Sequence, residues 1–388
     1  MKIVYCVTQL HGSGGIERVI TTKANALVDR GHDVTIITTD QKGGKPFFEL
    51  DKRIRTYDLG LNYKGDYDNP IWIRLYRHLK KKRIHKQKLT QLLYSIKADI
   101  VISTFMEEAS FLPSIEDGSR KIVESHASIL QYQVQRPRKK YDFQRCLDFF
   151  YKCYDLAIGQ RFDACVLLTK EDLLLRGRKS NMIVIPNPLD NTIYSSSSEN
   201  RRTYVLAIGR HTEQKNFSDL IDVWSVVSPE YPLWKLIIVG DGHLYSSLLD
   251  KINVLRLSSS VELLPPTKEI QHYYNEASIF VMTSLFEGLP MVLLETQAVG
   301  LPAISYECPC GPKDVIENGF NGFLVPSKNK HLFAHYLKML MVDKDMRESM
   351  GANAQSRSKQ YRLSVVIDQW EELFSRLYKK TTHEGRTG

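Results

Sequence analysis

Short apolar runs alternate along the chain with longer stretches whose apolar positions recur every three or four residues. KIVYCVTQL is followed by a glycine-rich turn, then IERVITTKANALVDRG at helical spacing, then HDVTIITTD. This order predicts strand, loop, helix and strand, with Gly31 at the helix C-terminus. ADIVISTF (98–105), KIVESH (121–126), DACVLLT (163–169) and MIVIPN (182–187) continue the strand series. A polar break, SSSSEN at 195–200, interrupts it, and TYVLAIG, LWKLIIVGDG, SVELLP, ASIFVMTS and LPAISYE then restart the same alternation.

Strands alternating with helices predict parallel sheets, and 388 residues exceed what one hydrophobic core usually organises. The expected architecture is α/β, with two Rossmann-like doubly wound domains, 1–189 and 190–362, facing each other across a cleft. LSVVIDQWEELFSRLY (363–378) has a helical pattern with aromatic anchors, and 379–388 is expected to be a disordered tail. In such sheets ligands sit beyond the carboxyl ends of the strands, so the loops after the apolar runs are where chemistry is expected.

Composition adds limits. A hydrophobic content of 43% and a charged content of 25% are ordinary for a globular enzyme. The chain starts directly on strand-like residues, without a signal-peptide pattern, and no apolar run reaches the length of a spanning helix, so a cytoplasmic location is expected. Its six cysteines lack a disulfide-framework spacing. The net charge of +9 is concentrated in RHLKKKRIHKQK, Arg77 to Lys88, which is either a solvated helix face or a contact for an anionic membrane. Nucleic acid is not expected as a partner, since no nucleic-acid-binding motif accompanies the run.

Three loops carry candidate chemistry. His11-Gly12-Ser13-Gly14-Gly15-Ile16-Glu17 opens the first helix, where free amides favour an anion, but Glu17 stands where the third glycine of a dinucleotide fingerprint belongs. IGRHTEQKN places Arg210 and Lys215 after the first strand of the second series, a fork-shaped and a point cation suited to a diphosphate. SLFEGLPMVLLETQAVG puts Glu287 in a loop, Pro290 at a helix start and Glu295 in that helix's second turn, with the amides of Met291 and Val292 free. Each feature alone also fits an ordinary turn, surface cation or helix cap.

Taken together, the sequence resembles the retaining glycosyltransferases of family four, which have the GT-B architecture. The resemblance spans nearly the whole chain: GSGGIE, ESHAS (124–128), VIPNPLD (184–190), IGRHTEQKN, VGDG (239–242), FEGLPMVLLE and GFNGFLVP (319–326) occur in order, and FEGLPMVLLE has the family's E-x7-E spacing. The resemblance implies that Arg210 and Lys215 hold the donor's diphosphate, with Gly14, Gly15 and Gly240 admitting close backbone approach. It implies that Glu295 grips the ribose hydroxyls and Glu287 a hydroxyl of the transferred sugar. Gly288, Leu289, Met291 and Val292 would line the sugar and phosphate, Leu264 the base, and His126 the donor sugar through its ring or its carbonyl. No cofactor or metal is implied; the co-substrate is a nucleoside-diphosphate sugar, expected to be a UDP-sugar, and the first domain would take a saccharide or lipid-linked acceptor.

Other features stand beside this picture. Asp66-Tyr67-Asp68 has the form of a metal-binding D-x-D but reads as a turn, and Cys308 and Cys310 lack a second ligand pair for zinc. The aromatic stretch from Tyr132 to Asp155 is either core packing or a surface for a lipid-linked acceptor at the membrane. Competing functions are a nucleotide-sugar epimerase or phosphorylase on the same fold, or a non-catalytic nucleotide- or carbohydrate-binding protein.

Overall fold

The structure, a computed structural model, describes residues 1–12, 14–63, 71–130, 143–190 and 201–384. Asp66-Tyr67-Asp68, the 195–200 break and the start of the aromatic stretch lie outside them.

The first sheet consists of β1 (Lys2–Val7), β2 (Asp33–Thr38), β3 (Arg55–Asp58), β4 (Ile100–Ser103), β5 (Arg120–Ser125), β6 (Ala164–Leu167) and β7 (Met182–Val184). The second consists of β8 (Tyr204–Ile208), β9 (Lys235–Val239), β10 (Val261–Leu264), β11 (Ile279–Met282), β12 (Ala303–Tyr306) and β13 (Gly322–Val325). All pairings are parallel, in the orders β3-β2-β1-β4-β5-β6-β7 and β10-β9-β8-β11-β12-β13. Each sheet therefore reverses its winding beside its first strand, between β1 and β4 and between β8 and β11. Loops leaving those strands diverge there and open a crevice.

Helices flank both sheets: α1 (Gly15–Asp29), α2 (Ile71–Ile96), α3 (Phe143–Gly159) and α4 (Lys170–Leu175) in the first half, then α5 (Phe217–Val227), α6 (Tyr245–Val254), α7 (Ile270–Glu276), α8 (Met291–Ala298), α9 (Pro312–Val315), α10 (Lys330–Val342) and α11 (Lys344–Ser358), and finally α12 (Leu363–Glu384). Two apolar clusters cover the faces of each sheet. Gly31, at φ +86°, lets the chain leave α1: its amide bonds the Val28 carbonyl and that of His32 the Leu27 carbonyl.

The chain crosses between the halves twice, and the crossings lie side by side, since the Leu189 amide bonds the Tyr361 carbonyl at 2.7 Å. α12 then packs on the first sheet, burying Val366, Ile367, Trp370, Leu373, Phe374 and Leu377 among residues of β1, β2 and α1. Arg30 and His32 hold it from outside through Asp368 and Glu371. α12 runs to Glu384, past the expected end at 378. No glycine or proline interrupts the chain before Gly385, so the expected tail is shortened from its start. Two strands went unread in the sequence, β3 and β13, both at sheet edges.

Candidate active site

The loops after β8 and β11, on either side of the second sheet's reversal, are tied to each other. The Leu285 amide bonds the Gln214 carbonyl at 2.8 Å, Gln214 Nε2 the Phe286 carbonyl at 3.0 Å, and Thr283 Oγ1 the carbonyls of Lys215 and Asn216. Asn216 sits at φ +50° to turn the first loop into α5. This bracing brings Lys215 Nζ to 2.6 Å from Glu287 Oε1, both largely buried. Arg210, on the same loop, is exposed and has no ion-pair partner among the described residues.

Glu295 is buried in the second turn of α8 with both oxygens engaged. Tyr274 of α7, itself buried, donates to Oε2 at 2.6 Å, and Arg18 of α1 donates to Oε1 at 2.7 Å from the opposite domain. Burial, and after it the carboxylate, holds the Tyr274 phenol well above its ordinary range, so it stays a donor. A carboxylate offers about four acceptor positions, so Glu295 retains capacity for a diol beside these two.

α8 starts after Pro290, and the Met291 and Val292 amides have no acceptor among the described residues. Leu289 is buried beneath this start. At Gly288 the backbone of the second domain comes close to the first: a Cβ there would lie 2.5 Å from the His126 carbonyl oxygen. His126 thus presents its carbonyl to the Gly288 loop, while its ring is buried, with Nε2 3.6 Å from Glu124 Oε2.

Gly240, after β9, has the same kind of constraint, since a Cβ would overlap the Gly209 carbonyl. Its amide bonds the carbonyl of Leu264 at 2.9 Å, so these two expected donor residues brace one another at the end of β10. Gly14 is the N-cap of α1, and the Glu17 carboxylate folds back against it and against Gly12, where Gln9 Nε2 donates to it. A negative charge belonging to the chain therefore already lies at that helix start. A Cβ on Gly15 would meet nothing within 4 Å.

Further contacts join the domains around this locus. The Lys170 amide bonds Asp314 Oδ1 at 2.7 Å, the Cys310 amide bonds Glu171 Oε2 at 3.0 Å, and Cys310 Sγ lies 3.0 Å from Ser128 Oγ. Both thiols of the C-P-C pair are buried; burial pushes that of Cys310 up to about 12 and that of Cys308 higher still.

The sequence named Lys215, Glu287, Glu295, His126 and Gly288; the structure pairs Lys215 with Glu287 and sets Gly288 against His126, while Glu295 lies in the helix that follows and pairs with Arg18 and Tyr274. It did not name Arg18 or Tyr274, whose partners lie 277 and 21 residues away in the chain.

Comparison with known proteins covers both halves. The model described as Glycosyltransferase Family 4 matches residues 13–192, and that described as Glycosyl transferases group 1 matches 191–357. The amylovoran biosynthesis glycosyltransferase AmsD of Erwinia amylovora is 28% identical over 389 residues, spanning 96% of this chain and 99% of its own. The Campylobacter jejuni enzyme GalNAc-alpha-(1->4)-GalNAc-alpha-(1->3)-diNAcBac-PP-undecaprenol alpha-1,4-N-acetyl-D-galactosaminyltransferase is 25% identical over 386 residues, spanning 97% of this chain and 98% of its own. Among solved structures, the pneumococcal O-GlcNAc transferase GtfA in complex with UDP and GlcNAc superposes with a TM-score of 0.75 at 14% identity, over 97% of this chain and 99% of that one. With two facing parallel-sheet domains and an E-x7-E helix at the second sheet's reversal, this chain belongs to the family four glycosyltransferases of the GT-B fold.

Proposed function

We propose that the protein transfers a hexose or N-acetylhexosamine from a UDP-sugar, with retention of anomeric configuration and without a metal, to a saccharide or lipid-linked saccharide in the synthesis of a surface polysaccharide or glycoconjugate. The observation that carries this reading is the buried Lys215–Glu287 pair between the loops after β8 and β11, with Glu295 in the helix that follows and exposed Arg210 on the first of these loops. In the proposed arrangement Arg210 and Lys215 take the diphosphate and stabilise the charge that develops as it leaves. Glu295 takes the ribose diol, Glu287 a sugar hydroxyl, and the Met291 and Val292 amides phosphate or sugar oxygens. Gly14, Gly15 and Gly240 admit the diphosphate closely, and Leu264 lies by the base.

Retention is proposed to proceed by front-face displacement, with the departing phosphate taking the acceptor's proton and His126 facing the donor sugar. The protein then contributes positioning and preorganised charge rather than a nucleophile. The UDP preference and the lipid-linked acceptor draw on the names of the relatives, one with UDP bound and one acting on a PP-undecaprenol saccharide.

The first domain is proposed to meet the acceptor at an anionic membrane on its cytoplasmic side. Support comes from α2, where Trp72, Leu75, Tyr76 and Leu79 recur on one helical face and are 70%, 62%, 67% and 54% exposed, next to the basic run from Arg77 to Lys88. Within that run His85 is buried and Lys88 bonds the Leu59 carbonyl, so the run is not uniformly a solvated face. No helix among the described residues is long and apolar enough to cross a membrane.

A thermal-shift panel of UDP-, GDP- and ADP-sugars, with and without chelator, tests the donor reading, because a ligand of the native state raises apparent stability by mass action. Stabilisation by a UDP-sugar that survives chelation is expected; no stabilisation by any nucleotide sugar would overturn it.

A further inference from the structure

Lys23 occupies a position on the buried stripe of α1, among Ile20, Ala24 and Leu27, and is fully buried. Its ammonium donates to both oxygens of Glu124 on β5, at 2.5 and 2.6 Å. The ring of Trp370 from α12 covers it, 4.5 Å from nitrogen to centroid, and the Tyr5 ring of β1 lies at 5.7 Å. The second Glu124 oxygen faces His126 Nε2 at 3.6 Å, with both side chains buried.

Three elements and the returning C-terminal helix therefore meet on one buried line of polar side chains, Lys23, Glu124, His126. Stability does not explain it. Removing two ions from water costs several kcal/mol each, and a well-packed apolar pair of the same volume is often as stable or more so. What the line does have is an end: His126, whose carbonyl abuts Gly288 in the E-x7-E loop.

We infer that Lys23 and Glu124 are positioning residues of the transfer site: Lys23 fixes the Glu124 carboxylate, which holds the His126 ring, and with the ring the chain turn that presents the His126 carbonyl to the Gly288 loop. Trp370 packs over the Lys23 ammonium, which is fully buried. Burial alone would push the Glu124 carboxyl up, but its neighbours, Lys23 first, outweigh it and hold it at about 2, so Glu124 stays ionised across neutral pH. Tyr5, the other titratable group facing Glu124, is held well above its ordinary range by burial and then by Glu124, and stays neutral.

This inference rests on the proposal that His126 belongs to the donor site, and a double-mutant cycle separates the two. UDP release from the nucleotide sugar selected by the thermal-shift panel is measured for E124Q, H126A and E124Q/H126A, together with the unfolding temperature of K23M/E124L. E124Q is expected to lower kcat on the order of tenfold to a hundredfold with little change in donor KM, as misplacement of a site group does. The E124Q effect should vanish in the H126A background, because a residue acting through another has nothing left to act on. K23M/E124L should unfold at the parental temperature and still show the lowered kcat. Parental kcat in E124Q or in K23M/E124L, or an E124Q effect undiminished in H126A, would overturn the positioning role while leaving the donor site intact. Parental kcat in H126A would instead show that the ring does not hold the carbonyl in place, and would overturn the inference while leaving the carbonyl at the donor site.

Discussion

Glu287 and Glu295 interrupt an apolar run because each acid has a cation from elsewhere in the chain. Lys215 reaches Glu287 from the loop after the neighbouring strand β8, and Arg18 reaches Glu295 from the other domain. A sugar nucleotide entering here meets acceptors that are already aimed, with Tyr274 and Lys215 offsetting the cost of burying them. On the proposed function, R210A and K215A fold normally but lose about a hundredfold to a thousandfold in UDP release, the scale of one preorganised donor at a developing charge. Near-parental turnover in both would remove them from the leaving group. The residues legible in the sequence are those at the ends of apolar runs, where position alone marks a loop at a strand's carboxyl end. Arg18 and Tyr274 were not legible, since only tertiary packing makes them neighbours of Glu295. Lys23 left a sequence signal, a cation on the buried stripe of α1, but nothing in a strand pattern names Glu124 as its partner.

At the scale of elements, the central strands were readable because burial on both faces makes them continuous apolar runs. β3, with the sequence RTYD and every residue exposed, carries no such run, and β13 is short and begins at a glycine. α2 was legible as a basic helix, but its exposed apolar face, Trp72, Leu75, Tyr76 and Leu79, starts before the charge run and only its last residue falls inside it. Replacing Trp72, Leu75, Tyr76 and Leu79 together by serine is expected to abolish cosedimentation with anionic vesicles. Failure of the parent chain to sediment with such vesicles would reject the membrane proposal. The turn after β4 gives a prediction for stability. Burial pushes the Glu108 carboxyl up to about 7, ahead of the lowering effect of the hydrogen bond from Ser103. The folded chain therefore binds a proton that the unfolded chain releases, so this contribution is fully present below the ordinary carboxyl range and is lost as pH rises through 7. E108Q should unfold with the parent at pH 4 and be more stable than the parent at pH 8, by about 3 kcal/mol, since each tenfold difference in proton affinity between the folded and unfolded chain corresponds to roughly 1.4 kcal/mol. Equal stability at pH 8 would contradict the burial of an ionising group there.

At the scale of the molecule, two doubly wound sheets face each other, and α12 returns to the first after the second is complete. The two crossings are adjacent at Leu189 and Tyr361, so the domains are linked at one place and meet again across the site through Arg18, Gly288 and Cys310. The repeated strand grammar made this organisation legible. The register of one domain against the other was not, because it rests on close backbone approaches such as Gly288 to His126 that leave no periodic trace. On the proposed function the crevice beside β8 and β11 is a nucleoside-diphosphate site whose ribose and phosphate anchors are Glu295 and Lys215. Titration calorimetry of UDP, GDP and ADP into the parent, E295A and K215A measures it directly. UDP is expected to bind the parent, and each variant to weaken it about tenfold to a hundredfold, as loss of one charged hydrogen bond does. Unchanged affinity in both variants, or no nucleoside diphosphate bound by the parent, would contradict it.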